Sequence, residues 1–246
     1  METHSRDLEF RLMTIKLLNT IKRKYTYREI SQWTGLPVTV LSRYVKGHVL
    51  PTSKRAREIW ASLQKIANLE GTLISRIRFD DTGYFDNTQI VYDVSLLRLA
   101  AQHAISKFAG RRINKVLTPA VDGIPLATLI ANSLDVDLII AKKNKEVGVR
   151  EYIEENYVPP DSGVILTFYV PKDAIKRGDS VLVVDDVIRT GETQQALIQL
   201  VNKVKAELAG IFVLIAVGDD WRKKLTVPPN CMVEVLATIE KKEQTR

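Results

Sequence analysis

Hydrophobic and polar positions along this chain change period several times, and each change marks an element. Over residues 8–21 apolar side chains recur at Leu8, Leu12, Ile15, Leu18 and Ile21, close to helical spacing. The cations Lys22, Arg23 and Lys24 then suit a helix C-terminus. Thr26 with Glu29 three residues on is a capping-box pattern. It predicts a short helix over residues 27–33 with Ile30 and Trp33 inward. Gly35 supplies a tight turn. Pro37 fits the first turn of a second short helix to about Lys46, with Val40, Leu41 and Tyr44 inward and Gly47 past its end. Thr52 or Ser53 caps a longer helix over residues 54–69, whose apolar face is Ile59, Leu63, Ile66 and Ala67. Gly71 ends this module. Residues 72–94 alternate only weakly around a turn at 80–83, and two short strands or an ordered linker both fit.

From there the pattern becomes helix and buried strand in turn. Ser95 or Asp93 caps a helix through Phe108. Short apolar runs at 114–117, 137–141, 163–170, 181–184, 211–217 and 232–239 read as strands, and continuous apolar runs are what burial on both faces requires. Helices fill 125–134 and a stretch from about 194 with Ala196, Leu197, Leu200, Val201, Val204 and Leu208 inward. Residues 146–162 are polar and without a period, and 241–246 read as a frayed end. The fold class is α/β, a small all-α head followed by a mainly parallel sheet flanked by helices. The expected domains are 1–75 and 76–246, with 76–94 as the junction.

Composition alters this picture at one point. A hydrophobic share of 45% and a charged share of 26% are ordinary for a globular chain. No apolar run approaches the ~20 residues of a membrane span. The N-terminus lacks a signal-peptide core, and the single Cys231, a small packing or surface residue, excludes an internal disulfide. A cytoplasmic protein with no membrane partner is expected. The formal net charge of +7, however, sits wholly in residues 1–75, while 76–246 are balanced. Short helix, glycine turn, short helix on a basic unit is the helix-turn-helix pattern. Its second helix exposes Val38, Thr39, Ser42, Arg43 and Lys46. Lys54 and Arg55, with Arg57, open the next helix, where the dipole disfavours cations unless they face phosphate. These residues are expected to bind double-stranded DNA, with Arg43 suited to a guanine edge.

The chemistry of the second unit gathers at residues 181–193. The strand ends in Asp185 and Asp186. Arg189, Thr190, Gly191, Glu192 and Thr193 then make a polar loop before a helix. Helix N-termini bind phosphate, Gly191 admits close backbone approach, and the threonines add hydroxyls. Two carboxylates beside a phosphate cradle suit the hydroxyls of a ribose. A second strand–loop–helix carries Ala120, Val121, Asp122 and Gly123. In open α/β sheets, ligands sit beyond the carboxyl ends of the strands.

The 181–193 stretch resembles the phosphoribosyl diphosphate (PRPP) signature of type I phosphoribosyltransferases. Residues 122–127, Asp-Gly-Ile-Pro-Leu-Ala, are similar to the orotate- and xanthine-type members. The resemblance covers about residues 95–240. It implies that Asp185 and Asp186 hold the ribose hydroxyls and that residues 189–193 hold the 5-phosphate. It further implies a pyrophosphate cradle at 120–123, a contact from Lys142 or Lys143, a lid over 146–162, and Trp221 stacked on a base. Magnesium is compatible with bound PRPP; no other cofactor or metal is implied. A helix-turn-helix head on such a domain resembles the purine-operon repressors of Gram-positive bacteria and the archaeal orotate-phosphoribosyltransferase-like regulators. The small head and residues 122–127 suit the second group better. The resemblance implies a regulator that binds a DNA operator and a PRPP or nucleotide effector, as a homodimer or larger homo-oligomer. The alternative is an enzyme that moves ribose 5-phosphate to a nucleobase. Glu151, Glu154, Glu155 and Asp161 against Arg150 make the lid a poor setting for departing pyrophosphate, so little turnover is expected.

Overall fold

The computed structural model describes residues 4–23, 25–80, 85–159 and 163–240, with the side chains of 4–6, 9 and 64–67 left out. Lys24, the centre of the 80–83 turn, Asp161, residues 241–246 and the side chains of Ile66 and Ala67 lie outside the described residues. The chain divides into two compact units, Met1–Thr72 and Leu73–Arg246.

The first unit holds α1 (His4–Lys22), α2 (Tyr27–Thr34), α3 (Val38–Val45) and α4 (Ser53–Ala67). Thr26 accepts the Glu29 N–H at 3.3 Å, and Glu29 accepts the Thr26 N–H at 2.7 Å, completing the capping box. Gly35 ends α2 at φ 68°, and its N–H returns to Ser31 O at 2.9 Å. Pro37 stands at the N-cap of α3, one place before the expected first turn. Leu17, Leu18, Ile21, Ile30, Leu36, Leu41, Ile59 and Leu63 form the core. The buried face of α1 differs from the sequence expectation. It follows positions 14, 17, 18 and 21 and extends back to Phe10, whose ring lies 5.7 Å from that of Trp60. That stripe leaves Leu8 and Leu12 off the face, 41% and 43% exposed.

The first unit ends at Thr72, one residue past Gly71, although the glycine itself lies within a helix. Asn68, at φ 31°, breaks α4, and α5 (Leu69–Arg76) runs across Gly71. Asn68 Oδ1 accepts the Gly71 N–H at 3.0 Å, and a Cβ at Gly71 would strike that amide. The glycine thus serves a helix start. The weakly alternating junction contains α5, a hairpin of β1 (Arg78–Phe79) and β2 (Phe85–Asp86), and α6 (Thr88–Val91). Asp93 Oδ1 then caps α7 (Val94–Lys107), accepting from Ser95 N at 2.9 Å and Leu96 N at 3.0 Å.

The second unit is built on a five-stranded parallel sheet in the order β4-β3-β7-β8-β9. In chain order it continues as β3 (Lys115–Pro119), α8 (Ile124–Leu134), β4 (Asp137–Ala141), β5 (Tyr152–Tyr157) and β6 (Leu166–Pro171). Then follow β7 (Ser180–Ile188), α9 (Glu192–Lys203), β8 (Glu207–Val217), α10 (Trp221–Lys224) and β9 (Met232–Ile239). The side chains of Val181 and Val183 join Leu197, Leu200 and Val201 of α9 in one buried cluster. Helices α7 and α8 pack on each other and on β3, β4, β7 and β9.

Three expectations change here. The polar stretch 146–162 contains a strand, β5, paired antiparallel with β6 from Tyr152↔Pro171 to Tyr157↔Leu166. The stacked rings of Tyr157 and Phe168, 4.5 Å apart, anchor this ribbon. Strand β7 does not stop at residue 184, because its ladder with β8 continues through Asp185↔Val213 to Ile188↔Ala216. Helix α9 ends at Lys203, Lys205 turns at φ 58°, and Leu208 belongs to β8.

Candidate functional site

Strands β3 and β7 are parallel neighbours, with Lys115↔Val181 and Leu117↔Val183 in register. The chain leaves β3 through α8 toward β4 on one side and leaves β7 through α9 toward β8 on the other. Their carboxyl ends therefore flank the point where the winding reverses, which is where open α/β sheets form a ligand crevice. Residues 120–123 and 189–191 both open there.

The acidic pair sits in the last turns of the β7 ladder rather than beyond it. Successive strand residues point to opposite faces. Asp185 accordingly meets α9, where Gln194 Nε2 donates to its Oδ2 at 2.6 Å. Its Oδ1 accepts the Asp186 N–H at 2.9 Å. Asp186 meets the other side, where Asn87 Nδ2 donates to its Oδ2. Asp185 is 3% exposed, and Asp186 is half-buried. Burial, and after it the charge of Asp186, pushes the Asp185 carboxyl well above the ordinary carboxylate range. Burial also raises Asp186; its bond with Asp185 pulls it back, and the charge of Asp122 raises it further.

In the next loop Gly191 takes φ 90° as the N-cap of α9. The Thr190 hydroxyl donates to Glu192, and Lys224 pairs with Glu192 at 2.6 Å. Thr193 is half-buried on the first turn of α9. Arg189 is exposed, its Cζ 6.0 Å from the Phe85 ring centroid. Trp221 is placed differently from the expectation of a base stack. It is 3% exposed and belongs to the core behind this loop. A Cβ at Gly191 would lie 3.5 Å from Trp221 Cβ, and Arg222 covers the indole at 4.4 Å.

On the β3 side the Ala120–Val121 peptide is cis, Val121 is 73% exposed and Asp122 is exposed. Gly123 is buried at the N-cap of α8; a Cβ there would collide with Thr118 Oγ1 and stand 3.2 Å from Asp185 Oδ1. The Thr118 hydroxyl is itself buried and makes no hydrogen bond among the described residues. The two loops thus approach each other through a space that only glycine leaves free.

Lys142 extends β4 through backbone bonds with Tyr169, and its ammonium pairs with Glu146. Lys143 is exposed and makes no ion pair among the described residues. The acids of β5 and its approach are neutralised from outside residues 146–162: Lys172 pairs with Glu151, Lys145 with Glu154 at 2.6 Å, and Lys203 with Glu155 at 2.5 Å. Each of these three acids thus has a lysine partner, while Asp161 lies outside the described residues.

Asn87, Thr118 and Gln194 also border the candidate site, and the sequence pattern does not single them out. Asn87 stands 99 positions from Asp186, and no local pattern marks it. Thr118 and Gln194 lie beside the two loops, but only burial distinguishes them. In the first unit Val38, Thr39 and Arg43 of α3 and Lys46 at its C-cap are exposed, and Ser42 is half-buried. Lys54 and Arg55 are exposed on the first turn of α4, and Arg55 meets Glu58 at 3.2 Å. Among the described residues no group of three or more His, Cys, Asp or Glu is arranged to hold a metal, and no helix is long and apolar enough to cross a membrane.

Residues 87–244 match the phosphoribosyl transferase domain family. Over 164 residues the chain is 35% identical to the purine biosynthesis transcriptional repressor of Bacillus subtilis, an alignment covering 66% of this chain and 56% of the repressor. It is 28% identical over 175 residues to the xanthine phosphoribosyltransferase of Clostridium tetani, covering 70% of this chain and 90% of that enzyme. Its fold is similar to the adenine phosphoribosyltransferase of Rhodothermus marinus, with a TM-score of 0.62 and 29% identity, over 70% of this chain and 99% of that one. The chain thus spans little more than half the length of the repressor it matches.

Proposed function

Because the chain belongs to the phosphoribosyl transferase domain family, we propose that its second unit binds PRPP or a related nucleotide or sugar phosphate as an effector. In the same proposal the first unit binds an operator in double-stranded DNA, so that the protein is a transcription regulator. The observation that carries this reading is the joining, in one chain, of two features. One is a helix-turn-helix unit with Val38, Thr39, Arg43 and Lys46 outward. The other is a crevice lined by an acidic pair and two glycine-centred loops. Similarity to a transcriptional repressor supports it.

In this reading Asp185 and Asp186 accept the ribose hydroxyls. The N–H groups of Arg189, Thr190, Gly191, Glu192 and Thr193 hold the 5-phosphate at the α9 N-terminus. Ala120, Val121, Asp122 and Gly123 cradle the diphosphate, and Lys142 and Lys143 approach it from β4. Trp221 supports Gly191 from behind. The donor set suits a magnesium ion that arrives on a diphosphate and keeps its waters, since such ions bind through one or two carboxylates and substrate phosphates. Arg43 reads a guanine, Ser42 and the outward α3 residues line the groove, and Lys54 and Arg55 meet phosphates. A homodimer would present two such heads to two half-sites.

A second reading, a working phosphoribosyltransferase, is favoured by the neutralised acids of the 146–162 segment and by the xanthine phosphoribosyltransferase match. Steady PRPP-dependent conversion of xanthine or adenine at about 1 s⁻¹ or faster would establish it.

A thermal-shift titration tests the effector site. A ligand at 100 times its Kd stabilises the fold by about 2.7 kcal/mol. PRPP with magnesium should raise the melting temperature of the second unit. Asp185→Asn with Asp186→Asn should weaken binding more than about tenfold, or 1.4 kcal/mol. Equal affinity in that double variant would remove the acidic pair from the site.

A further inference from the structure

One contact reaches the acidic pair from outside both loops. Asn87, between β2 and α6, donates its side-chain amide to Asp186. Two positions earlier Phe85 lies beneath the Arg189 guanidinium. Residues 85–87 therefore meet both the open carboxylate and the loop arginine of the signature. Asp185 is enclosed by Gln194 and the Asp186 N–H, so Asp186 is the more accessible acceptor of the two.

The Asn87 amide has no structural task in its own helix. It makes no cap bond to α6, and the Thr88 N–H is held instead by Asp86 Oδ1 at 2.9 Å. The stretch is fastened at its far end, where Ile90 and Val91 are buried and Asp93 pairs with Arg76 at the end of α5. An amide N–H and a sugar hydroxyl are both donors that seek the same carboxylate lone pairs.

Resting on the reading of this crevice as a sugar-phosphate site, we propose that Asn87 is an internal competitor for the ligand. Its amide occupies Asp186 until a vicinal diol takes that acceptor, and ligand entry frees residues 85–88 from the crevice. The exchange replaces one N–H···O bond by one O–H···O bond, with no covalent step. The freed stretch leads back through the Asp93–Arg76 pair to α5, the helix in which the chain divides into its two units. Ligand occupancy thereby acts on the segment that adjoins the head.

The test is calorimetric titration of PRPP and magnesium into the full chain, as wild type, Asn87→Ala and Asn87→Leu. Leucine keeps most of the side-chain volume and removes the donor. Because no cap bond is lost, both variants should fold. Both should bind PRPP about tenfold more tightly than wild type, a gain of about 1.4 kcal/mol. In wild type, PRPP should speed hydrogen exchange at the Ile90 and Val91 amides, which now bond to the Asn87 carbonyl at 2.8 and 3.0 Å. Unchanged or weaker PRPP affinity in both variants, beside a wild type that binds, overturns the competitor role. Slower exchange at those amides overturns it too, since the ligand would then be recruiting the stretch. A wild type that binds no PRPP rejects the site reading itself, and the competitor with it.

Discussion

Asp185 is the residue at which stability and binding oppose each other. It is enclosed by the Gln194 amide, the Asp186 N–H and the edge of Gly123, and burial raises its pKa well above the usual range. A raised folded-state pKa means that the folded chain keeps a proton the unfolded chain has lost. Stability then falls as pH rises from the ordinary carboxylate range toward the folded value. Asp185→Asn removes that pH-dependent loss, although its single amide oxygen can accept from only one of the two donors, Gln194 Nε2 and the Asp186 N–H. In the absence of ligand, the melting temperature of the single variant minus that of wild type should therefore rise as pH goes from about 4 to neutral. Melting curves across that range check it, and a difference that does not change with pH contradicts the raised carboxyl.

At the scale of elements, local signals and long-range ones separate cleanly. The capping box at Thr26 is a local signal and was legible from two residues. Thr26→Ala should lower the stability of the first unit by about 1 kcal/mol, and Thr26→Ser should restore it. Denaturation followed by tryptophan fluorescence reads this, because Trp33 and Trp60 lie in that unit. The order of helices and strands in the second unit was also legible, since buried parallel strands are continuous apolar runs. Strand ends were not, because partners set them: β7 continues past its apolar run only because β8 lies beside it. Strand β5 was hidden because its sequence, Tyr-Ile-Glu-Glu-Asn-Tyr, has no clean alternation, and its acids pair with lysines outside the strand. The two loops of the candidate site were readable as contiguous stretches. Asn87 was not, and the burial of Trp221 was not either, because the sequence does not tell a core indole from an open one.

At the scale of the whole molecule, charge and site chemistry fall in different units. The formal excess of +7 belongs to the head, and the acidic pair belongs to the phosphoribosyl transferase domain. A regulator requires that the two sites share a coupling free energy, which is reciprocal by linkage. If the exposed cations of α3 and α4 meet DNA, affinity should fall steeply with salt, at roughly 0.9 counterions per phosphate contact. Arg43→Ala should cost about 1–3 kcal/mol on the specific site and much less on random duplex. Lys54→Ala and Arg55→Ala should weaken both duplexes alike and flatten the salt slope. The most direct measurement is the affinity of the full chain for duplex DNA, by fluorescence anisotropy, with and without PRPP. The expected result is salt-sensitive binding whose affinity PRPP changes in wild type. The Asp185→Asn, Asp186→Asn double variant should bind the same DNA with no response to PRPP. Absence of salt-sensitive duplex binding, or a PRPP response that survives in the double variant, would contradict a DNA-binding regulator governed from this crevice.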